Sequence, residues 1–217
     1  MSNINSRMLN NTLVYDHEDL FVCPICSRAM KLLHLKSLVC EKNHCFDLSK
    51  QGYLNLLSSV SKVKYDKRMF EARRLISKSG FFDPICSKIS EIILEHIKPG
   101  ESKISIMDAG YGEGSHLATV RSMLLQSLVC DILSVGVDIS KEGILLSSKH
   151  YSNMIWCVAD LAKCPFADHQ FDYILNILSP SNYSEFRRML SNDGVVNTIS
   201  FVEASESCVK YDFSFLR

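Results

Sequence analysis

Residues 101–217 alternate between short apolar runs and helix-forming stretches, and this alternation limits the possible folds more than any other feature of the chain. The apolar runs predict strands at 103–108, 133–138, 154–158, 171–177 and 194–201. The stretches between them predict helices at 115–128, 141–150 and 182–190. Strands that alternate with helices indicate a parallel sheet with helices on both faces. We therefore expect an α/β domain here.

A glycine-rich turn follows the first predicted strand. It reads Asp-Ala-Gly-Tyr-Gly-Glu-Gly over residues 108–114, and a helix is predicted directly after it. Glycines in such a turn permit a close approach of ligand to backbone. Asp138 ends the second strand about 24 residues after Gly114, where an acid can hydrogen-bond ribose hydroxyls, and Asp160 follows the third strand. The pattern predicts a nucleotide-type cofactor site, with an α/β domain that binds no cofactor as the alternative.

Four of the nine cysteines cluster near the N-terminus. Cys23-Pro-Ile-Cys26 and Cys40-Glu-Lys-Asn-His44 form two knuckles, separated by a 13-residue segment that predicts a short hairpin. Three thiolates and one imidazole are typical of a structural zinc site. A redox C-x-x-C motif is the alternative, but it would be expected beside a βαβ pattern and would leave the second knuckle unexplained. We predict one zinc on these four residues, with Cys45 as a less favoured substitute ligand.

The formal net charge of 0 hides an uneven distribution. Residues 21–100 carry a net charge of +7, whereas residues 1–20 and 101–217 carry −2 and −5. This asymmetry indicates an anionic partner for the basic part, although surface charge that evens out on folding is the alternative. Apolar runs stay well below the ~18 residues that a membrane span needs, and the polar N-terminus does not resemble a secretory signal.

Two helices are predicted between the cysteine cluster and the α/β domain. Asp66 can cap a helix over 67–79, and Gly80 suits the position after its end. Asp83-Pro84 opens a second helix, along which isoleucines recur at helical spacing. Helix charges are often merely solvated, but their density here favours contact with a phosphate backbone. The candidate RNA-binding residues are Lys62, Lys64, Lys67, Arg68, Arg73 and Arg74.

The acid inside the glycine turn distinguishes D-x-G-x-G-x-G from the dinucleotide pattern G-x-G-x-x-G. Together with Asp138 and Ala159-Asp160, the turn resembles that of the class I S-adenosylmethionine-dependent methyltransferases, which have a Rossmann-like fold. In that class the first turn meets the methionine part of the cofactor, the second-strand acid meets the ribose, and the Ala-Asp position meets the adenine. The resemblance implies cofactor contacts at Asp108, Gly110, Gly112, Glu113, Gly114, Asp138, Ile139, Asp160 and Leu161.

Both halves together resemble a narrower family, the 23S ribosomal RNA (guanine-N1)-methyltransferases, which include the macrolide-resistance enzymes of tylosin and mycinamicin producers. Besides the glycine turn, the likeness is carried by motifs at Cys23–Cys26, Cys40–Asp47, Lys50–Leu57 and Met69–Arg74. In that family the zinc module recognises an rRNA hairpin, and the methyltransferase domain modifies a guanine in it. The resemblance thus implies S-adenosylmethionine and Zn²⁺ as cofactors, a 23S rRNA hairpin as partner, and a further cofactor contact at Phe82, where the family often has Tyr.

The chain departs from that family after the fifth predicted strand. The family continues with a proline-containing turn, a His-Leu pair that supplies a cofactor contact, and further strands, whereas residues 202–217 form a short tail. We therefore expect a sheet that lacks its C-terminal strands and leaves the fifth strand as an exposed edge. Two alternatives to an rRNA methyltransferase remain. One is a zinc-bearing RNA-binding protein or degenerate paralogue that has lost catalysis, and the other is a small-molecule methyltransferase.

These expectations divide the chain into four parts: a polar N-terminal tail (1–20), a zinc-binding module (21–60), bridging helices (61–100) and an incomplete methyltransferase domain (101–217). The loop after the fourth strand, at 176–180, is where the class places its target base. Asn176 could orient that base but could not act as a general base, so the catalytic residue is left unassigned. We expect a cytoplasmic protein without membrane contact and leave open a homodimer.

Overall fold

The N-terminal part of the protein is a helix followed by a small antiparallel sheet. The structure is a computed structural model that describes residues 2–58, 66–128, 130–202 and 210–216. Helix α1 (Ser2–Asp16) precedes the strands β1 (Met30–Leu33), β2 (Ser37–Cys40) and β3 (Cys45–Asp47). β1 and β2 form the hairpin predicted between the two knuckles, and β3 pairs with β2. A further short strand, β4 (Leu54–Asn55), lies outside this sheet.

Most of the segment that we expected as a polar N-terminal tail forms helix α1. The side chains of Asn10 and Asn11 are buried although they are polar. Asn11 Nδ2 donates to the carbonyl of Leu35 at 2.9 Å, and Asn10 Oδ1 accepts from the backbone N–H of Asn153 at 3.1 Å. Apolar periodicity does not reveal these two contacts, because Asn10 and Asn11 are amides, although Val14 of the same helix is buried as well.

The two bridging helices are confirmed close to their predicted bounds. Helix α2 spans Lys67–Lys78, and helix α3 spans Asp83–His96. Asp66 caps α2 by accepting a hydrogen bond from the N–H of Arg68 at 3.0 Å, and a proline lies in the first turn of α3. The isoleucine-rich face of α3 is buried as the helical spacing predicts.

The C-terminal half confirms the predicted alternation of strands and helices. Its elements are β5 (Lys103–Ala109), α4 (Ser115–Ser127), β6 (Asp131–Asp138), α5 (Lys141–His150), β7 (Ile155–Val158), β8 (Phe171–Ile177), α6 (Tyr183–Met189), β9 (Leu190–Val202) and β10 (Lys210–Leu216). Strands β9, β8, β5, β6 and β7 lie side by side in that order and are parallel. The chain moves outward from β5 through β6 to β7 and then returns to β8 on the other side of β5. The carboxyl ends of β5 and β8 therefore frame a topological switch point, where sheets of this kind bind ligands.

The edge of the large sheet beside β9 differs from the expectation. β10 pairs antiparallel with β9, from Lys210 opposite Val202 to Leu216 opposite Val196, so the fifth strand of the domain is not an exposed edge. The sheet consequently ends in an added antiparallel strand rather than lacking every strand beyond the fifth. At the other edge β4 pairs in parallel with β7 and completes the order β10-β9-β8-β5-β6-β7-β4.

The small sheet packs directly on the α/β half. The rings of Phe21 and Phe166 are both buried, with their centroids 5.7 Å apart. The backbone N–H of Val22 donates to the carbonyl of Pro165 at 3.1 Å, and a second such bond runs from Ala167 back to the N-terminal segment. The zinc module is therefore joined to the α/β half by backbone pairing as well as by apolar packing. Within the described ranges, the structure contains no helix long and apolar enough to cross a membrane.

Candidate functional site

The two knuckles bring the four predicted zinc ligands together. The ligand atoms of Cys23, Cys26, Cys40 and His44 all lie within 4.8 Å of one another. His44 Nδ1 lies 3.4 Å from the sulfurs of both Cys23 and Cys40, and the sulfurs of Cys26 and Cys40 are 3.7 Å apart. Tetrahedral zinc with Zn–S bonds of ~2.3 Å and a Zn–N bond of ~2.0 Å requires ligand separations of about 3.5–3.8 Å. The four groups therefore fit this ion.

Tight backbone turns produce this arrangement. The N–H of Ser27 donates to the carbonyl of Cys23 at 2.7 Å, and the N–H of Asn43 donates to the carbonyl of Cys40 at 2.8 Å. Ser27 and Asn43 have φ angles of 57° and 60°, a left-handed conformation that residues other than glycine rarely adopt. Each turn thus directs the two ligands of its knuckle to one point.

The surroundings of the knuckles favour a thiolate at Cys40. Burial alone would raise the pKa of this thiol, but hydrogen bonds from the backbone N–H groups of His44 and Lys42, together with those from the thiols of Cys26 and Cys23, outweigh burial and lower the pKa to about 7. The thiolate is the form that binds metals. Cys45 is exposed and its Sγ lies 3.8 Å from Oδ1 of Asp47, so the structure does not place it among the ligands.

A cavity of about 550 Å³ opens at the switch point of the large sheet. This volume lies within the ~300–1,000 Å³ typical of small-molecule sites. Six of the predicted cofactor-binding residues lie in its wall: Gly110, Gly112, Asp138, Ile139, Asp160 and Leu161. The rest of the wall comes from α2 and from the segments that follow β7 and β8: Met69, Phe70, Arg73, Ala162, Leu178, Ser179, Pro180, Ser181 and Asn182.

Two glycines of the turn are required for different reasons. Gly110 has a φ of +80°, and a Cβ at this position would lie 2.4 Å from Cβ of Ser179, in the loop after β8. Gly114 has a φ of +84°, and its Cβ would lie 2.8 Å from Cη2 of Trp156 and from Cβ of Ser147. Gly110 therefore lets the loop after β8 pack on the turn, whereas Gly114 lets α4 begin directly against Trp156 and Ser147. Gly114 itself lies outside the cavity wall.

Asp138 and Asp160 are held by backbone hydrogen bonds at the cavity edge. Asp138 Oδ2 accepts from the N–H of Gly112 at 2.8 Å, and its Oδ1 accepts from the N–H of Ser140 at 2.7 Å. Asp160 Oδ1 accepts from the N–H of Ala162 at 2.8 Å. Burial raises the pKa of Asp138, and the backbone N–H bonds oppose that effect. Because each carboxylate oxygen has further lone pairs, both residues can still accept hydrogen bonds from a nucleoside.

Asp108 and Glu113 are buried behind the glycine turn and do not line the cavity. Glu113 accepts a hydrogen bond from the hydroxyl of Ser115, while neither oxygen of Asp108 has a hydrogen-bond partner among the described residues. Burial and the neighbouring carboxyls of Asp138 and Glu113 raise the pKa of Asp108 to about 8, although Arg73 acts to lower it. Asp108 is therefore mostly protonated at neutral pH, and the structure does not bring it or Glu113 into the wall.

Phe82 also lies outside the cavity wall. It precedes the first residue of α3, and its ring packs edge-on against His116 with the centroids 4.6 Å apart. Burial and, to a lesser extent, the nearby Arg73 lower the pKa of His116 to about 4, so this imidazole is neutral. In the structure, Phe82 therefore packs against α4 at the start of α3 and does not reach the cavity.

Arg73 lies in the cavity wall, although we expected it on the RNA-facing surface. Helix α2 packs across the glycine turn and presents Arg73 to it, together with Phe70 one turn earlier. A Cβ built on Gly112 would lie 3.4 Å from Nη1 of Arg73 and 3.5 Å from Cε1 of Phe70. The charge of Arg73 therefore acts on the cofactor cavity, an outcome that charge density along the sequence does not reveal.

The other predicted basic residues occupy different surroundings. Lys67 is exposed and pairs with Glu71 at 3.3 Å, and Arg68 is exposed. Arg74 is half-buried and faces a groove of about 420 Å³ between α2 and α5. The basic residues along this groove are Lys67, Arg74, Lys78, Lys149 and His150. Lys62 and Lys64 lie outside the described residues.

Asn176 is buried and fully engaged rather than free to orient a base. Its Nδ2 donates to the carbonyl of Ala109 at 3.2 Å and to Oγ of Ser179 at 2.6 Å, and its Oδ1 accepts from the hydroxyl of Ser181 at 2.6 Å. The Ser179 hydroxyl also donates to the carbonyl of Ala109, at 2.5 Å. Asn176 thus fixes the loop after β8 on the glycine turn, and residues 178–182 face the cavity in its place.

Some cavity residues were missed at the level of sequence. Met69 and Phe70 belong to the Met69–Arg74 motif, which we interpreted through its charges. Arg73 lies three residues after Phe70 and four after Met69, and residues at these two spacings are neighbours on a helix surface, so the spacing could have grouped both with Arg73. Ser181 and Asn182 follow a strand end beside the switch point, where a polar cluster indicates a ligand site.

Comparisons with known proteins agree with this geometry. Residues 21–63 match the zinc ribbon family described as "RlmA, N-terminal", and residues 107–197 match the family described as "Methyltransferase domain". The YxjB protein of Bacillus subtilis (strain 168), named as a candidate 23S rRNA (guanine-N(1)-)-methyltransferase, is 46% identical over 179 residues, which are 82% of this chain and 62% of YxjB. The 23S rRNA (guanine(748)-N(1))-methyltransferase of Streptomyces fradiae is 28% identical over 180 residues, with the same two shares.

A solved structure shows the same fold. A SAM-dependent methyltransferase from Aquifex aeolicus superposes with a TM-score of 0.52 at 16% identity, covering 67% of this chain and 78% of that one. The chain itself spans about three fifths of the length of the curated relatives that it matches, 62% in the case of YxjB. The chain therefore combines a match to the RlmA-type zinc ribbon with a class I methyltransferase fold, and over this length it is similar to proteins named as 23S rRNA (guanine-N1)-methyltransferases.

Proposed function

We propose that the protein transfers a methyl group from S-adenosylmethionine to N1 of a guanine in a 23S rRNA hairpin, in the cytoplasm. The observation that carries this proposal is the combination of a Cys₃His ribbon and a 550 Å³ switch-point cavity in one chain, backed by 46% identity to a relative named for that activity. The retained cavity supports catalysis over a zinc-bearing RNA-binding protein that has lost it.

The residues of the cavity suit the two reactants. S-adenosylmethionine supplies an electrophilic methyl group on its sulfonium. Asp138 would accept hydrogen bonds from the ribose hydroxyls, and Asp160 would accept one from the adenine amine. The loop at residues 178–182 would hold the guanine in line with the methyl group, which is the main catalytic contribution for a displacement of this kind. Hydroxyl and carbonyl oxygens of this loop can accept a hydrogen bond from the N1–H of guanine.

The groove between α2 and α5 supports a contact with the RNA backbone. Lys78 and the half-buried Arg74 lie on the α2 side of the groove, and Lys149 lies on the α5 side. Helix α2 also lines the cofactor cavity. Burial and the nearby cations Arg74, Lys149 and Lys78 lower the pKa of His150, so that at neutral pH the positive charge comes from the arginine and the lysines. We assign this groove, with the exposed Arg68, to the phosphates of the hairpin.

Incubation of the full chain with methyl-labelled S-adenosylmethionine and a 23S rRNA hairpin tests the proposal. We expect label in the RNA, 1-methylguanosine after digestion to nucleosides, and a stop in reverse transcription, because a methyl group on N1 blocks the pairing edge. Failure to bind S-adenosylmethionine would favour the RNA-binding alternative. Binding without RNA methylation would favour a small-molecule methyltransferase.

Charge reversal tests the RNA surface separately. The variant Lys78→Glu/Lys149→Glu should weaken hairpin binding and reduce the dependence of binding on salt by about one unit of slope per lost phosphate contact. Lys88→Glu/Lys98→Glu is the matched control, since it changes the net charge by the same amount and these lysines pair with Glu91 at 3.1 Å and Asp193 at 2.6 Å outside the groove. Equal losses in the two variants would show that net charge, and not this groove, governs binding.

A further inference from the structure

Arg73 lies in the wall of the cavity, on a helix that is packed firmly against the α/β half. Helix α2 lies so close to α5 that a Cβ on Gly143, at the start of α5, would meet Cε1 of Phe70 at 3.3 Å. One turn beyond Arg73, the hydroxyl of Ser77 lies 2.8 Å from the hydroxyl of Ser115, at the start of α4. The arginine therefore projects from a helix that is fixed on the N-terminal ends of both α4 and α5.

This guanidinium has no direct partner in the part of the chain that the structure describes. None of the ion pairs found there, with nitrogen and oxygen within 4 Å, includes Arg73, and none of the hydrogen bonds does. Burial raises the pKa values of Asp108, Glu113 and Asp138, and the charge of Arg73 opposes that rise at all three carboxyls. A half-buried guanidinium that faces a ligand cavity with its donors unused is suited to an anionic group of the ligand.

The position of Arg73 selects which anionic group that is. Asp138 and Asp160 occupy the part of the wall suited to a nucleoside, and Arg73 lies against Gly112, in the turn between β5 and α4. On the proposed function, the group that reaches this turn is the amino-acid end of the cofactor, which carries one carboxylate and one ammonium. The guanidinium of Arg73 offers its positive charge to the carboxylate of such a zwitterion.

We propose, resting on the proposed function, that Arg73 binds the α-carboxylate of S-adenosylmethionine and is a cofactor-binding residue rather than an RNA contact. The two parallel N–H donors of a guanidinium match the two oxygens of a carboxylate. Helix α2 thereby contributes to cofactor binding from outside the methyltransferase domain. The cofactor in turn would tie α2, and the basic groove beside it, to the glycine turn.

Decarboxylated S-adenosylmethionine, which keeps the sulfonium and the amine but lacks the carboxylate, isolates this contact. We would measure binding of both compounds by calorimetry to the full-length chain and to Arg73→Met, Arg73→Lys and Arg68→Met. The wild type should bind S-adenosylmethionine about 10- to 100-fold more tightly than the decarboxylated compound, as expected for loss of a charged hydrogen-bonded pair. Arg73→Met should lose that preference and bind the decarboxylated compound within about threefold of the wild type, because that compound never used the contact.

The two remaining variants complete the test. Arg73→Lys should keep part of the preference, since lysine retains the charge but not the planar fork. Arg68→Met, on the exposed side of the same helix, should bind both cofactor compounds with wild-type affinity, because Arg68 is assigned to the RNA and lies outside the cavity wall. Fluorescence of the single tryptophan, Trp156, which is buried beneath the turn, monitors the fold of each variant.

Each contrary result has a distinct meaning. If Arg73→Met weakens both compounds equally, Arg73 stabilises the cavity wall and the carboxylate assignment is wrong. If it weakens hairpin binding and leaves both cofactor affinities unchanged, Arg73 is an RNA contact and the proposal is overturned. If the wild type binds both compounds with equal affinity, the proposed function survives without this inference, whereas a wild type that binds neither refutes the cofactor assignment on which both rest.

Discussion

The substitution Gly110→Ala tests whether the loop after β8 is pressed onto the glycine turn. Alanine at this position incurs two separate costs. The left-handed φ of +80° is disfavoured for any residue with a Cβ, by about 1–2 kcal/mol. In addition the new Cβ would lie 2.4 Å from Cβ and 2.6 Å from Oγ of Ser179, and overpacking of this kind costs about 1–3 kcal/mol. We therefore expect the free energy of unfolding to fall by about 2–5 kcal/mol.

Gly100→Ala is the matched control for the backbone cost alone. Gly100 has nearly the same φ, +86°, and a Cβ there would meet no atom within 4 Å. Urea unfolding followed by the fluorescence of Trp156 gives the free energy of unfolding for each variant. The difference between Gly110→Ala and Gly100→Ala should then be the steric cost alone, about 1–3 kcal/mol.

Removal of the Ser179 side chain should relieve the steric part of the destabilisation caused by Gly110→Ala. In the double variant Gly110→Ala/Ser179→Gly, the atoms nearest the new Cβ are gone, so the two substitutions should couple favourably by about 1–3 kcal/mol. The single variant Ser179→Gly corrects for loss of the hydrogen bond from its hydroxyl to Ala109. Equal destabilisation by Gly110→Ala and Gly100→Ala, or strict additivity in the cycle, would refute the close packing of loop on turn.

Three further outcomes follow from the sites described above. Cys26→Ala should abolish zinc binding and unfold the small sheet, whereas Cys45→Ala should retain one zinc per chain. Metal analysis of protein purified without chelator measures both, and zinc retained by Cys26→Ala or lost by Cys45→Ala would contradict the ligand assignment. Asn176→Ala should lower the free energy of unfolding by about 1–3 kcal/mol, because it leaves buried partners without hydrogen bonds, and an unchanged urea midpoint would contradict this. Burial raises the pKa of Asp108 to about 8 from its ordinary value of 3.8, so the native state holds a proton between those pH values that the unfolded state has lost. The free energy of unfolding should therefore fall as the pH rises through that window, and Asp108→Asn should flatten this dependence in unfolding curves measured from about pH 5 to 8.

The features that the sequence predicts well are those encoded by local spacing. The two knuckles require only short turns between their ligands, and the structure brings all four ligand atoms together. The glycine turn, the acid after β6 and the alternation of strands with helices are likewise local, because each depends on residues close together in the chain. Six of the predicted cofactor-binding residues consequently lie in the cavity wall.

The features that the sequence does not predict arise from contacts between distant segments. Arg73 was assigned to RNA from the charges around it, but its direction is set by the packing of α2 on a turn some 40 residues later. Asn176 has the right position for a base contact, yet its hydrogen bonds to Ala109, Ser179 and Ser181 engage its amide elsewhere. Strand β10 is a partial exception, because a local pattern does indicate it. The alternation in Lys-Tyr-Asp-Phe-Ser-Phe is typical of a strand, but we interpreted residues 202–217 as a short tail because the family continues differently.

Strand β4 determines where the chain can be divided into separately expressed parts. Its two residues pair with Cys157 and Val158 of β7, and the N–H of the following Leu56 donates to the carbonyl of Val158 at 2.9 Å. A chain cut between the ribbon and α2 would strip β7 of this neighbour and leave an open edge that invites pairing with other chains. Chimeras that exchange ribbons between relatives should therefore carry β4 and β7 as a matched pair, and the C-terminal half expressed alone should self-associate.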